Sequence, residues 1–211
     1  MGATEKTGES SRRDGSIGQD LKELIRLARG LGMSGGAAVS TRDIVIDDGL
    51  AELCRKPGCD NYGLSPSCPP HVGGPSRFRE LRERFEHALV VKIDVPTEIL
   101  LSVEVRDIMR LLHEIVSRVE GAAVEMGYSD SQAFAGGSCK KLFCPDHADC
   151  RILEGDGNCR NPENARPSMS GFGIDVARLM QAATWTLGET TGSEDGDGTS
   201  TAPLCGLVLV G

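Results

Sequence analysis

Seven of the eight cysteines in this chain fall in two short stretches rich in proline and glycine. The first is Cys54-x4-Cys59-x8-Cys68-Pro69-Pro70-His71, and the second is Cys139-x4-Cys144-Pro145-x4-Cys150-x8-Cys159-Arg160. Stretches of about 20 residues with no helix or strand pattern are uncommon in compact domains, so something other than backbone hydrogen bonding has to order them. Thiolates gathered on loops are what a soft metal or an iron–sulfur cluster requires. Thiols held close together repel once ionised unless a cation neutralises them. This grouping therefore points to one compact domain with two metal-binding loops.

The 211 residues suit a single domain able to bury a real core. Aromatic residues make up only 4% of the chain, so that core is expected to be aliphatic. The net charge of −8 argues against non-specific nucleic-acid binding, which needs a basic footprint. No run of about 18 apolar residues suggests a membrane span. The polar segment Met1–Gln19 lacks the apolar centre of a secretory signal. A cytoplasmic, reducing compartment is expected, where clustered cysteines bind metal or do redox work more often than they form disulfides.

Hydrophobic periodicity organises the rest. Residues 1–17 read as a disordered tail and 18–211 as the domain. Asp20 is expected to cap a helix running to about Leu31, with strands at Ala37–Ser40 and Ile44–Ile46. Ser76 is expected to cap a short helix carrying Phe78, Leu81 and Phe85. Ala88–Val95 reads as a buried strand. From about Ser102 to Met126, the residues Val105, Ile108, Leu112, Ile115, Val119, Ala122 and Met126 form a helical stripe, with His113 partly exposed beside it. A strand at Gln132–Ala135, a helix at about Phe172–Leu187, a flexible loop at 188–201 and a strand at Leu204–Val210 complete the reading. Alternating helices and strands favour an α/β (or α+β) fold: helices packed on a small mixed sheet, with the two cysteine loops at one end.

Cys139, Cys144, Cys150 and Cys159 supply the four thiolates of one site. A four-iron, four-sulfur cluster suits them because no C-x2-C pair is present and the gaps are long, and because Cys68 and Cys144 precede proline. Zinc is the alternative, since C-x4 lies within its spacing range. Cys54, Cys59 and Cys68 give only three thiolates. Their fourth ligand could be His71, Cys205, a substrate or nothing, and a cluster shared between the windows is a further arrangement. Cys205, inside the last strand, reads first as a small buried hydrophobe. Gly136-Gly137-Ser138 can bring backbone amides to the sulfurs, or simply turn the chain. Arg160 and Arg166 can offset cluster charge or hold an anion, while Lys140 and Lys141 read as charge balance or solvated surface.

The combination Cys54-x4-Cys59-x2-Tyr62-Gly63-x4-Cys68-Pro69-Pro70 with Gly137-x-Cys139, Cys144, Cys150, Cys159-Arg160-x-Pro162-x3-Arg166-Pro167-Ser168-Met169 and Gly173-Ile174-Asp175-Val176 resembles the motifs of an uncharacterised family of predicted metal-binding proteins from anaerobic bacteria and archaea. The resemblance spans about Leu21 to Val210. It implies metal or iron–sulfur binding through these cysteines, with no established reaction. Ser170-Gly171 departs from the acidic and small pair expected there. Two functions are compatible with these residues. One is an iron–sulfur protein that passes electrons to a partner or handles a metallocofactor; the other is a zinc-stapled, non-catalytic interaction module. An enzyme using an open position at Cys54, Cys59 and Cys68 is a third.

Overall fold

A computed structural model describes residues 7–155, 157–185 and 200–211. The elements in chain order are α1 (Thr7–Gly30), β1 (Gly35–Ser40), α2 (Asp48–Glu52), α3 (Gly74–Arg84), β2 (His87–Pro96), α4 (Thr97–Leu100), α5 (Val105–Glu125), β3 (Gln132–Phe134), α6 (Cys139–Phe143), α7 (Arg151–Glu154), α8 (Val176–Ala182) and β4 (Thr201–Val210).

The four strands form one sheet in the order β1-β2-β4-β3, and every pairing is antiparallel, which corrects the expected mixed sheet. The reason lies in the crossover. β2 and β3 run in the same direction and are joined through α5, as alternating helices and strands suggest. The slot between them is filled by β4 running the opposite way, with ten residues paired from His87↔Val210 to Pro96↔Thr201.

Helices cover both faces of this sheet, so β2 reads as a near-continuous apolar run. Leu89, Val91, Ile93 and Val95 face α1 and α5 in a core that includes Leu24, Ala28, Leu112, Ile115, Val116, Val119, Val208 and Val210. Ala88 and Val90 face the other way, with Leu207 and Leu209, toward α3 and α8. Three of the five phenylalanines meet in that second core: Phe78, Phe134 and Phe172, with ring centroids 5.3–5.6 Å apart. Gly206 lets α5 approach the sheet closely, since a Cβ there would stand 2.5 Å from Val116 Cγ1.

Several local expectations change. α1 begins at Thr7 and not at Asp20; Asp20 lies inside it and accepts a hydrogen bond from the Tyr128 hydroxyl at 2.7 Å. α3 starts at Gly74-Pro75, so Ser76 is inside that helix. Proline at the first turn needs no N–H partner and sets the helical φ. Ile46 makes a single bridge to Ile174 in place of a strand. Met126 falls off the buried stripe of α5 and is exposed. His113 is fully buried, which corrects the partly exposed reading. α8 starts later than expected, because Gly173 has φ of 70° and Asp175 caps the helix by accepting from Arg178 N–H at 3.0 Å, while its expected end at Leu187 lies outside the described residues. The expected loop at 188–201 lies outside the described residues up to position 199. Among the described residues, no helix is long and apolar enough to cross a membrane.

Candidate metal centres

The two cysteine windows come together beside the C-terminal end of β3, and each lines its own cavity. Cys139, Cys144, Cys150 and Cys159 line a cavity of about 310 Å³, together with Ser65, Ser67, Phe143, Asn161, Arg160 and Arg166. Cys54, Cys59 and Cys68 line a second cavity of about 540 Å³, with Leu50, Leu53, Asn61, Tyr62, Ser138 and Ile174. The seven window cysteines thus divide four and three, as they divide along the chain.

Local backbone geometry explains the spacings. In the first window, Cys59 N–H donates to Cys54 C=O at 3.0 Å, closing a wide π-type turn that places the two cysteines at its ends. Gly63 N–H, at φ of 77°, donates to Pro69 C=O at 2.8 Å and folds the loop back so that Cys68 reaches the same cavity. In the second window, Cys139 opens α6 and Cys144 follows its end. Cys150 precedes α7, and its carbonyl accepts from Leu153 and Glu154 N–H.

Neither proposed fourth ligand of the first window lines its cavity. His71 is exposed, with its N–H donating to Cys68 C=O at 3.0 Å. Cys205 is buried in the sheet core opposite Lys92, where burial pushes its thiol up to about 12. It behaves as a small core residue.

Polar groups surround the sulfurs. Asn161 donates to two of them, from its backbone N–H to Cys159 Sγ at 3.4 Å and from its amide to Cys144 Sγ at 3.3 Å. Ser67 Oγ donates to Cys139 Sγ at 3.1 Å. Asn61 stands 3.7 Å from Cys59 Sγ, and its Oδ1 is buried without a partner in the larger cavity. Burial raises the thiol pKa of Cys139. Burial, then the neighbouring Cys59 and Cys68, raise that of Cys54. Thiols so placed resist joint ionisation unless a cation joins them. A set of four and a set of three thiols, several already receiving N–H or O–H donors, fits a thiophilic metal centre at each cavity. Among the described residues, no three His, Cys, Asp or Glu side chains close around a single point as one metal ion requires.

The helix α5 pins the second window through residues that periodicity alone does not single out. Arg110 donates to Leu142 C=O, and its guanidinium lies over the Phe143 ring at 5.7 Å. The His113 ring packs edge-on against Phe143, with Nε2 2.9 Å from Gly136 O, while Nδ1 accepts from Arg166 N–H at 3.2 Å. This arrangement fixes a neutral ring with the proton on Nε2. Glu120 accepts from Ala133 N–H at 2.6 Å and pairs with the Arg166 guanidinium, whose Nε lies 2.8 Å away. Arg110, His113 and Glu120, with the buried Ser117, recur at steps of three and four, so they share one helix face. Arg166 lines the smaller cavity, yet its guanidinium is engaged by Glu120 and by the Pro162 and Ala165 carbonyls. Arg160 lines the same cavity and donates to Asp149 C=O at 3.1 Å. Lys140 donates to the Cys144 and His147 carbonyls, bracing the loop. Lys141 stands 3.8 Å from Asp60 of the first window.

The closing motif has a structural explanation. A Cβ at Gly173 would stand 2.4 Å from Asp47 O, and Asp47 N–H donates to Gly173 C=O at 2.8 Å. Gly171 packs against Val72 and Pro69, where a Cβ would come within 2.7 Å. Both glycines seat the end of the second window on the first.

No curated protein and no solved structure matches the chain. A family model does match residues 37–210, both cysteine windows and all of the sheet but the first two residues of β1 included, and the chain belongs to that family of predicted metal-binding proteins, DUF2284.

Proposed function

We propose that this protein binds two iron–sulfur centres, one at each cavity, and serves a redox or metallocofactor-handling role. The observation that carries this reading is the division of the cysteines between two adjacent cavities. Four thiols surround the smaller one and three the larger. The sequence holds no C-x2-C pair of the kind zinc sites favour, and Cys68 and Cys144 precede proline, which suits a cluster. At the smaller cavity, Cys139, Cys144, Cys150 and Cys159 would hold a four-iron cluster, with Asn161 and Ser67 donating to its sulfur ligands. At the larger cavity, Cys54, Cys59 and Cys68 would hold a second centre with one position left to a non-protein ligand. When bound, such centres supply one-electron chemistry, tuned by hydrogen bonds to sulfur and by solvent exposure.

The test is strictly anaerobic purification followed by iron, sulfide and zinc analysis and EPR of the reduced protein. Brown protein with iron and sulfide in matching amounts supports the reading. Cys139→Ser should remove one centre and Cys68→Ser the other. Colourless protein holding stoichiometric zinc overturns it in favour of a zinc-stapled interaction module.

A further inference from the structure

We propose that Ser67, carried by the first window, is a positioning residue for the centre of the second: a buried chain of serine hydroxyls, Ser65 and Ser67 from the first window and Ser138 from the second, completes the thiolate site at Cys139. Resting on the two-centre reading, this inference concerns residues that bind no metal themselves. Ser65, Ser67 and Ser138 are all buried, at 0, 7 and 2% exposure. They lie where the two cavities adjoin. Ser65 and Ser67, from the first window, line the cavity of the second; Ser138, from the second, lines the cavity of the first.

The direction of the hydrogen bonds follows from counting protons. A hydroxyl donates once. Ser67 donates to Cys139 Sγ at 3.1 Å, so its 2.9 Å contact with Ser65 is one it accepts. Ser65 has then used its proton, and its 3.5 Å contact with Ser138 is also accepted. The chain therefore runs Ser138 to Ser65 to Ser67 to the Cys139 sulfur. Ser67 also stands 3.9 Å from Cys68 Sγ, the longer of its two sulfur contacts. Its single proton can serve one thiolate at a time, and the geometry assigns it to Cys139. Ser168 N–H fixes the same residue from below by donating to Ser67 C=O at 2.9 Å. Ser67 adjoins Cys68 in the chain, so a centre at the larger cavity anchors the donor that serves the smaller.

Groups that orient metal ligands are typically worth about 10- to 100-fold in metal affinity. The test uses the full chain, loaded anaerobically with iron and sulfide and, separately, with zinc. Ser67→Ala should release the metal held by Cys139, Cys144, Cys150 and Cys159 to a competing chelator about 10- to 100-fold more readily. It should also move that centre's midpoint potential to a more negative value. In a Cys139→Ser background, the same change should leave retention of the remaining metal nearly unaltered. Ser65→Ala, which leaves the Ser67–Cys139 contact in place and removes the second hydroxyl that faces the same sulfur, should give a smaller loss, and it stands in if Ser67→Ala does not fold. Unchanged retention and potential in Ser67→Ala, or an equal loss in both backgrounds, overturns this inference alone. Loading with zinc only, with the serine effect preserved, overturns the iron–sulfur reading and leaves this one standing. A wild-type chain that takes up no metal overturns both.

Discussion

Replacing His113 by phenylalanine tests whether the second cysteine window is held by α5. The substitution keeps a flat ring against Phe143 and removes both ring nitrogens. Gly136 C=O then loses its donor at 2.9 Å and Arg166 N–H its acceptor at 3.2 Å, at a residue with no solvent exposure. A buried polar group left unpaired costs about 1–3 kcal/mol. Two of them, less the relief of no longer burying an imidazole, give about 3 kcal/mol. For a domain of this size that is a drop of roughly 6–12 °C in Tm. The assay is urea denaturation of metal-free protein followed by circular dichroism, with Tm as a second readout. The pH dependence gives an independent check. Burial first, with the Arg166 charge adding to it, holds the His113 pKa below its ordinary value of 6.5. The folded state therefore keeps the ring neutral while the unfolded chain takes up a proton, so the wild type loses stability as pH falls from about 6.5 through the lowered value. The phenylalanine variant should lack that component. A variant within about 0.5 kcal/mol of wild type, with an unchanged acid profile, would refute the assignment.

Three further outcomes are expected. Gly173→Ala places a Cβ 2.4 Å from Asp47 O at a φ of 70°, and should cost at least about 1–3 kcal/mol in urea denaturation, with metal retention at the larger cavity weakened as well. Glu120→Gln removes the charge paired with Arg166, at side-chain exposures of 18 and 14%, and should destabilise by about 3–5 kcal/mol in the same assay. Cys205→Ala should leave metal stoichiometry unchanged, unlike serine at any of the seven window cysteines; metal analysis of the purified variants checks this.

Elements whose burial follows a simple period were legible in the sequence. The run Ala88–Val95 and the stripe Leu112, Ile115 and Val119 mark β2 and α5 because each buries a regular face. The sheet's strand directions were not legible: a helix between two strands signals a crossover but says nothing of what fills the gap. His113 was misjudged because it sits beside the apolar stripe; its spacing from Arg110, Ser117 and Glu120 was the available signal. Helix caps were misplaced where a stronger local constraint acted. Pro75 opens α3 ahead of Ser76, and Gly173 with Asp175 sets the start of α8. The cysteine spacings left open how the thiols divide between the cavities, because nothing in a spacing says which loop lies beside which. The serine chain was invisible for the same reason. Ser65 and Ser138 are 73 residues apart and meet only once the windows are folded together.

The strand β3 leads directly into the second cysteine window, and its one partner in the sheet is β4, which the ribosome makes only after both windows. Until β4 slides in alongside β2, β3 has no strand to pair with, and the segment preceding Cys139 is held only by the bridge of Ala135 to Ser168 and by contacts between the windows. Closure of both cavities therefore belongs to a late stage of biogenesis, after β4 has emerged and docked. A nascent chain stalled before Thr201 should present both sets of thiols to solvent and to oxidants.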